Sequence, residues 1–284
     1  VSSLFSKELA STSVSSKATQ RVLNGENQSP GISVLNINNI AYWIGKDGAY
    51  TTAGSPNGTM ADYPIFTGGF IYSDGMLWGA KVKGDGQGDE VRVGGSTYYH
   101  GLKAGRIITD ANGAVLGSDD PVNNHVWRVR KDYASADLTV DAANYYAVGT
   151  GDVTAAQIAV VKNQYEYDWY NWPAAWGAPY HDVNGDGSYD PDVDVPGYPG
   201  ADQTMWTIAN DVPLIVNAAG DSIGYSNTAP SLYGADPIGI ELQITLWGYA
   251  FGASDPLGNN IFKQAKMKYM GLPGTPDGAM LDSL

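Results

Sequence analysis

The sequence contains no cysteine and has few basic residues. Without cysteine the protein has no disulfide bond, thiol nucleophile, zinc–thiolate site or iron–sulfur cluster. Lysine and arginine together number 16 against 30 acidic residues, so the formal net charge is −14. Binding to a nucleic-acid backbone or to an anionic membrane surface requires a basic face, which this balance does not supply. We therefore exclude nucleic acids and anionic membrane surfaces as partners.

Long apolar runs are also missing. No stretch approaches the roughly 18 consecutive apolar residues that indicate a membrane-spanning helix, so we expect no membrane insertion. Charged residues make up only 16% of the chain, compared with about 25% in a typical globular protein. Glutamate supplies five of the 30 acidic residues and aspartate the other 25. Because glutamate favours helices and aspartate favours turns, this bias argues against a helical protein.

Glycine and tyrosine are abundant, with 36 and 19 residues. Short apolar runs separated by Gly, Asn and Asp begin after residue 30. These features predict a mainly β protein with one large domain over residues 31–284, built as an antiparallel, two-sheet, sandwich-like fold. Residues 1–30 are rich in Ser and Thr and poorly patterned. We interpret them as a flexible leader, or as a strap that is donated to a neighbouring subunit.

Local patterns place the main elements. Residues 238–247 carry aliphatic side chains at every even position, which is typical of a half-buried strand, and we expect this strand to pair with residues 261–269. One short helix is predicted at 153–165, with Asp152 as its cap, because apolar residues recur there at steps of three and four. The Ser-Asp-Gly turn at 73–75 lies between two apolar runs and predicts a hairpin.

An aspartate-rich segment, residues 182–194, carries oxygen-bearing side chains at alternate positions. Oxygen ligands at relative positions 1, 3, 5 and 9, with glycine at position 6, are what a Ca²⁺ loop requires. At position 12 Val193 stands in place of the bidentate glutamate of an EF-hand, so Asp194 or Asp192 has to complete the shell. No flanking helices are predicted. The candidate ligands are Asp182, Asn184, Asp186, Ser188, Asp190 and Asp194.

The alternative interpretation of this segment is a solvated Asp–Gly turn without a metal. Five aspartates within 13 residues repel one another at neutral pH unless a cation neutralises them, which favours the calcium loop. Calcium is favoured over magnesium because a flexible cage made only of protein oxygens suits the larger ion. We expect the role of Ca²⁺ to be structural and not catalytic.

Several short motifs occur in a fixed order along the chain. They are VRV (91–93), WRV (127–129), WPAAWGAP (172–179), DVNGDG (182–187), GADQTMW (200–206), ND (210–211), PIGIELQ (237–243) and LGNNIF (257–262). As a series covering about residues 40–284, they resemble large exported or cell-surface β proteins of Bacteroidota and related phyla, many of which carry type IX secretion sorting domains. The resemblance implies a bacterial protein exported to the cell surface or the extracellular space, with no established enzyme activity.

The chain departs from the proteins it resembles in two ways. It lacks the C-terminal sorting domain, so the secretion route is an expectation from the resemblance alone. Those proteins also usually continue into further β structure past the segment that matches residues 281–284, so we expect that this chain is shortened.

A serine nucleophile is the first catalytic arrangement to consider. Residues 220–224 have the form G-x-S-x-G, which in α/β-hydrolases places the serine between a strand and a helix. Here no helical pattern follows, and all three histidines, His100, His125 and His181, precede Ser222. We therefore predict a hairpin turn at this segment, and no catalytic residue in the chain.

Carbohydrate recognition is the alternative function. Trp169, Trp172 and Trp176 follow one another closely and form a candidate glycan platform, because aromatic faces stack on sugar rings. Buried core positions are the other interpretation of these side chains. Glycoside hydrolysis, which we place below binding, would need two facing carboxylates, and Glu166 and Glu241 are the candidates.

Together these features predict an exported, non-catalytic structural or adhesive protein that is stabilised by calcium. Its expected partners are further copies of the chain or other surface proteins. Strand addition at an open sheet edge beside the final strand, with residues 1–30 as the donor, would build a filament or surface assembly.

Overall fold

The computed structural model describes residues 31–48, 57–83, 90–97, 101–226 and 232–274, together with the backbone of 280–283. The predicted leader, residues 1–30, and His100 lie outside the described residues. The described residues form two α-helices, α1 (Thr139–Tyr146) and α2 (Ala155–Tyr170), and eighteen strands. In chain order the strands are β1 (Ile32–Leu35), β2 (Ala41–Gly45), β3 (Ala61–Asp62), β4 (Gly69–Ile71), β5 (Met76–Lys83), β6 (Glu90–Ser96), β7 (Lys103–Ala104), β8 (Ile107–Thr109), β9 (Val115–Ser118), β10 (Trp127–Arg130), β11 (Tyr180–His181), β12 (Val195–Pro196), β13 (Gln203–Asn210), β14 (Leu214–Val216), β15 (Ser222–Tyr225), β16 (Ile240–Gly248), β17 (Phe262–Tyr269) and β18 (Met280–Ser283).

The strands of this part of the chain form five open sheets. Their orders are β1-β2-β3-β4, β10-β13-β16-β17 with β7 beside β13, β11-β12, β15-β14-β9-β8 and β18-β5-β6. Strands β9 and β14 pair in parallel, and the other strand pairs are antiparallel. The prediction of a mainly β protein with open, antiparallel sheets is therefore confirmed, although the strands are spread over more than two sheets.

Strands β13 and β16 lie beside each other in the largest sheet and are buried on both faces. On β16 the aliphatic side chains Leu242 and Ile244 join the largest hydrophobic core. The other face of the same sheet carries Trp206, which packs with Trp172 in a second core. The predicted pairing of β16 with the following strand is confirmed, because β17 runs antiparallel beside it over eight residue pairs.

The long helix α2 begins at Ala155 and ends at Tyr170, where the sequence predicted residues 153–165. Its cap is Thr154 and not Asp152: the Thr154 hydroxyl accepts a hydrogen bond from Gln157 N at 3.2 Å, and the Gln157 side chain bonds back to Thr154 N at 2.8 Å. This reciprocal capping box satisfies two amides that the first helical turn leaves unpaired.

The hairpin predicted around residues 73–75 is wrong. Strand β4 pairs with β3, and β5 pairs with β6 and β18, so the two strands that flank this turn do not pair with each other. Asp74 is bound elsewhere, since it accepts hydrogen bonds from Tyr42 at 2.6 Å and from Lys263 at 2.8 Å. These contacts connect the turn to two different sheets.

Neither helix of the described chain has the length and apolar character that crossing a membrane requires.

Candidate functional site

The predicted calcium segment, residues 182–194, forms a loop that we call the aspartate loop. Strands β11 and β12 pair through Tyr180 with Pro196 and through His181 with Val195, and they close its two ends. The sequence therefore folds this segment as a closed excursion from a short antiparallel pair, with no helix on either side.

Carboxylates inside the aspartate loop bind the backbone amides of the loop itself. Asp182 accepts hydrogen bonds from Gly185 N at 2.7 Å and from Gly187 N at 2.8 Å. These amide donors, Gly187 first, hold the pKa of Asp182 below its ordinary value. Asp186 accepts from Ser188 N at 2.8 Å. Gly187 has a φ of +77°, a conformation that glycine adopts without strain and that position 6 of a Ca²⁺ loop needs for its sharp turn.

Asp194 differs from the other candidate ligands because it is buried, with 2% of its surface exposed. Its two carboxylate oxygens accept hydrogen bonds from Val183 N at 2.9 Å and from Asp190 N at 2.8 Å. Asp194 therefore connects the beginning of the aspartate loop to its end. The carboxylate of Asp190 in turn accepts a hydrogen bond from Asp192 N at 3.0 Å.

The donor set of the aspartate loop fits calcium in chemical type, although its side chains do not converge. In the part of the chain that the structure describes, no group of three or more His, Asp or Glu side chains is arranged to hold a metal ion. Asn184 donates a hydrogen bond to Asp186 at 2.8 Å, so these two candidate ligands bind each other. The available donors are nevertheless oxygen atoms, which Ca²⁺ prefers, on side chains that are exposed or, for Asp182, half-buried. Asp182, Asn184 and Asp186 would hold the ion, with the Ser188 carbonyl and Asp190.

The aspartate loop is packed against the end of helix α2. Trp169 donates its indole N–H to the Pro191 carbonyl at 3.1 Å. Tyr189 donates its hydroxyl to the Trp169 carbonyl at 2.6 Å, and its ring lies against that of Tyr180 with 5.5 Å between centroids. Burial, followed by the charge of Asp194, raises the pKa of Tyr189. A change of conformation in the loop would therefore change the surroundings of Trp169.

The three tryptophans proposed as a glycan platform do not form one. Trp172 is buried in the second core, with 4% exposure, and donates to the Pro179 carbonyl at 2.8 Å. Trp169 is bound to the aspartate loop. Trp176 alone lines a cleft, so the prediction of a shared aromatic surface is wrong. Trp172 belongs to the second core, whereas Trp176, at the end of the 3₁₀ turn Ala174–Trp176, packs at the margin of the same core and stays half-buried.

This cleft, which we call the Trp176 cleft, has a volume of about 600 Å³. Its walls come from strands β8, β14 and β15, from the segment after β9, and from the turn that carries Trp176. Arg106 lies over the Trp176 ring, 4.2 Å from its centroid, and binds Asp119 through Nε at 2.9 Å and Nη2 at 3.4 Å. Sequence analysis did not find this site, because its residues are scattered over more than 100 positions and match no motif.

The structure also places the remaining candidates for catalysis. Ser222 begins β15, which pairs with β14, so the hairpin predicted at residues 220–224 is confirmed. Glu241 is buried and accepts a hydrogen bond from Ile107 N at 3.0 Å, whereas Glu166 is exposed on α2. His125 lies 2.9 Å from the fully buried Asp168. His181 lies in β11.

No protein-family model, curated protein or solved structure matches this chain.

Proposed function

We propose that this protein is an exported, non-catalytic structural or adhesive protein of the bacterial surface or extracellular space, and that its aspartate loop binds a calcium ion. The observation that supports this most is the loop itself, which β11 and β12 close and which presents oxygen donors at alternate positions on its exposed side. The motif resemblance to exported proteins supports the location.

Calcium bound in the aspartate loop would stabilise the loop and its contact with helix α2. It would neutralise the negative charge that the aspartates concentrate in this loop, and it would fix the loop that binds Trp169 through the Pro191 carbonyl. Because this tryptophan belongs to the last turn of α2, the ion would stiffen the contact between a surface loop and a helix. Such a role needs no reacting group, which agrees with a non-catalytic protein.

Self-association is the second part of this proposal. Among the strands that the structure describes, β18 lies at one edge of its sheet, with β5 paired on its other side. The unpaired main-chain groups of an edge strand can bind another strand, and head-to-tail addition of this kind builds polymers. Light scattering over a range of protein concentrations tests it. A mass that remains that of one chain at every concentration would contradict the assembly.

The calcium proposal is tested by thermal unfolding in millimolar CaCl₂, in MgCl₂ and in excess chelator. At ten times the dissociation constant, bound Ca²⁺ should raise the Tm by about 3–6 °C, and chelation should remove the gain. Asp182→Asn should abolish the response. Asp110→Asn is the matched control, because Asp110 also accepts two backbone amides in a turn, at 2.8 and 2.9 Å. Equal Tm values in calcium and chelator would refute the proposal.

Carbohydrate binding is a second candidate function, and one observation favours it. Trp176, the one predicted platform residue that remains available, is half-buried beside polar side chains in a cleft of about 600 Å³. That volume is in the range of about 300–1,000 Å³ that small-molecule sites occupy.

A further inference from the structure

The Trp176 cleft combines apolar and polar walls. Ile107, Val216 and Ile223 contribute apolar surface, while Thr109 and Asn123 contribute uncharged polar groups. A ligand that fills this space has to present both apolar and hydrogen-bonding surface over short distances. Sugar rings do so, since their C–H groups and hydroxyl groups alternate around the ring.

The charged residues of the cleft lining are one arginine and two aspartates, and each of them already has a partner. The guanidinium of Arg106 is bound by the Asp119 carboxylate through two nitrogens, and Asp120 adds a further carboxylate to the lining. An anionic ligand would meet these two carboxylates, and a cationic ligand would have to compete with Arg106 for Asp119 and with the Val122 amide, which donates to Asp120 at 3.0 Å. A neutral ligand meets neither cost, so the electrostatics favour an uncharged, hydroxyl-rich molecule.

Trp176 is held in place before any ligand arrives. Its carbonyl accepts a hydrogen bond from Gln243 at 2.9 Å, and its ring meets Trp127 edge-on at 6.2 Å. Arg106 covers part of the ring at 4.2 Å. An aromatic side chain fixed in this way loses little conformational freedom on binding, which is a cost that flexible sites have to meet.

Polar groups remain available in the cleft. In the part of the chain that the structure describes, the side chains of Asn123 and Thr109 make no hydrogen bond, and neither does the indole N–H of Trp176. Asn offers both donors and an acceptor, Thr offers both roles, and the indole donates. These groups match the dual donor and acceptor character of sugar hydroxyls.

We propose that the Trp176 cleft binds a neutral oligosaccharide. The inference rests on the second function proposed above, carbohydrate binding, and is independent of the calcium proposal. The part of the half-buried Trp176 ring that Arg106 leaves exposed supplies the stacking surface, the Arg106–Asp119 pair supplies fixed polar contacts without net charge, and Asn123 supplies adaptable hydrogen bonds.

The test is an array of neutral and charged glycans, followed by calorimetric titration with maltotriose, cellotriose and xylotriose and with the anionic trigalacturonate. We expect at least one neutral glycan to bind and to change tryptophan fluorescence, with the anionic probe at least about tenfold weaker. Trp176→Ala should weaken binding at least about tenfold, and Asn123→Ala about fivefold through the loss of a hydrogen bond. Asn163→Ala, at an exposed position of α2, should bind like the wild type.

The outcomes distinguish failure of carbohydrate binding itself from failure of its assignment to the Trp176 cleft. If no neutral glycan binds, both carbohydrate binding and this site are refuted. If a glycan binds with unchanged affinity in Trp176→Ala and in Asn123→Ala, the protein binds carbohydrate elsewhere and the cleft assignment is refuted. Asn123 is exposed, and exposed substitutions usually change stability little, so its variant gives an answer even if Trp176→Ala does not fold.

Discussion

The buried carboxylate of Asp141 should be among the most sensitive positions in the protein. It is 1% exposed, and it accepts hydrogen bonds from Arg128 and Arg130, each at 2.6 Å, and from the Tyr165 hydroxyl at 2.5 Å. Arg128 is itself buried. Asp141→Asn keeps the shape of the side chain but removes the negative charge between the two guanidinium groups.

The expected cost follows from what the substitution leaves behind. Breaking a buried ion pair by neutralising one partner costs about 3–5 kcal/mol, because the remaining charge is buried without compensation. For a domain of this size, that loss corresponds to a fall in Tm of about 6–20 °C. Asp132→Asn is a matched control: Asp132 also binds Arg130 at 2.6 Å, but 52% of its side chain is exposed, so its loss should cost about 0–1 kcal/mol.

Urea unfolding, followed by tryptophan fluorescence and by circular dichroism, measures both variants under the same conditions. The slope of the transition should be unchanged, since the same surface is exposed on unfolding. If Asp141→Asn loses no more stability than Asp132→Asn, the buried network does not stabilise the packing of α1 against β10, and the reasoning is refuted.

Three further predictions concern single positions. Burial raises the pKa of Asp211 from 3.8 to about 6, so between these pH values the folded protein holds a proton that the unfolded chain releases. Raising the pH across this window should therefore lower the free energy of unfolding by about 3 kcal/mol. Urea unfolding at a series of pH values should show a smaller pH dependence in Asp211→Asn. Gly239→Ala should lower the free energy of unfolding, measured in urea, by at least about 2 kcal/mol. The reason is that Gly239 has a φ of +89° and that a Cβ there would lie 2.2 Å from the Gly271 carbonyl oxygen. Gly113→Ala is the control and should cost less, because Gly113 has a φ of +90° but open space around it. Thr154→Ala should cost about 1 kcal/mol in thermal unfolding by removing the cap of α2, and a change below about 0.3 kcal/mol would contradict that role.

The parts of the fold that the sequence predicted are those with a repeating pattern. Strand β16 was found because its alternate side chains enter two different environments, the main core and the opposite face of the sheet. The start of α2 was placed within two residues, but its end was five residues short. The extra turn contains Asp168, which is buried against His125 and the Arg128 amide. These tertiary contacts leave no periodic trace in the sequence.

Short elements were missed for a related reason. Helix α1 has eight residues, and Asp141 and Asn144 on its buried side are polar, so its sequence lacks the apolar stripe that indicates a helix. The two- and three-residue strands exist only because a partner lies beside them. The Trp176 cleft likewise forms only when distant segments meet, which explains why Trp176 was the one residue of its lining that sequence analysis named as a platform residue.

The abundance of aspartate also needs a second explanation beside metal binding and turns. Asp211 is fully buried and accepts hydrogen bonds from the backbone amides of Ile238, Gly239 and Ile240 at 2.7–2.9 Å, and Asp194 accepts two such bonds within the aspartate loop. A short carboxylate side chain can reach amides where a strand ladder stops, so aspartate satisfies donors that would otherwise be buried without partners. Composition cannot separate this use from metal binding. Experiment separates them: the buried Asp211 should respond to pH, and the candidate calcium ligands of the aspartate loop should respond to calcium.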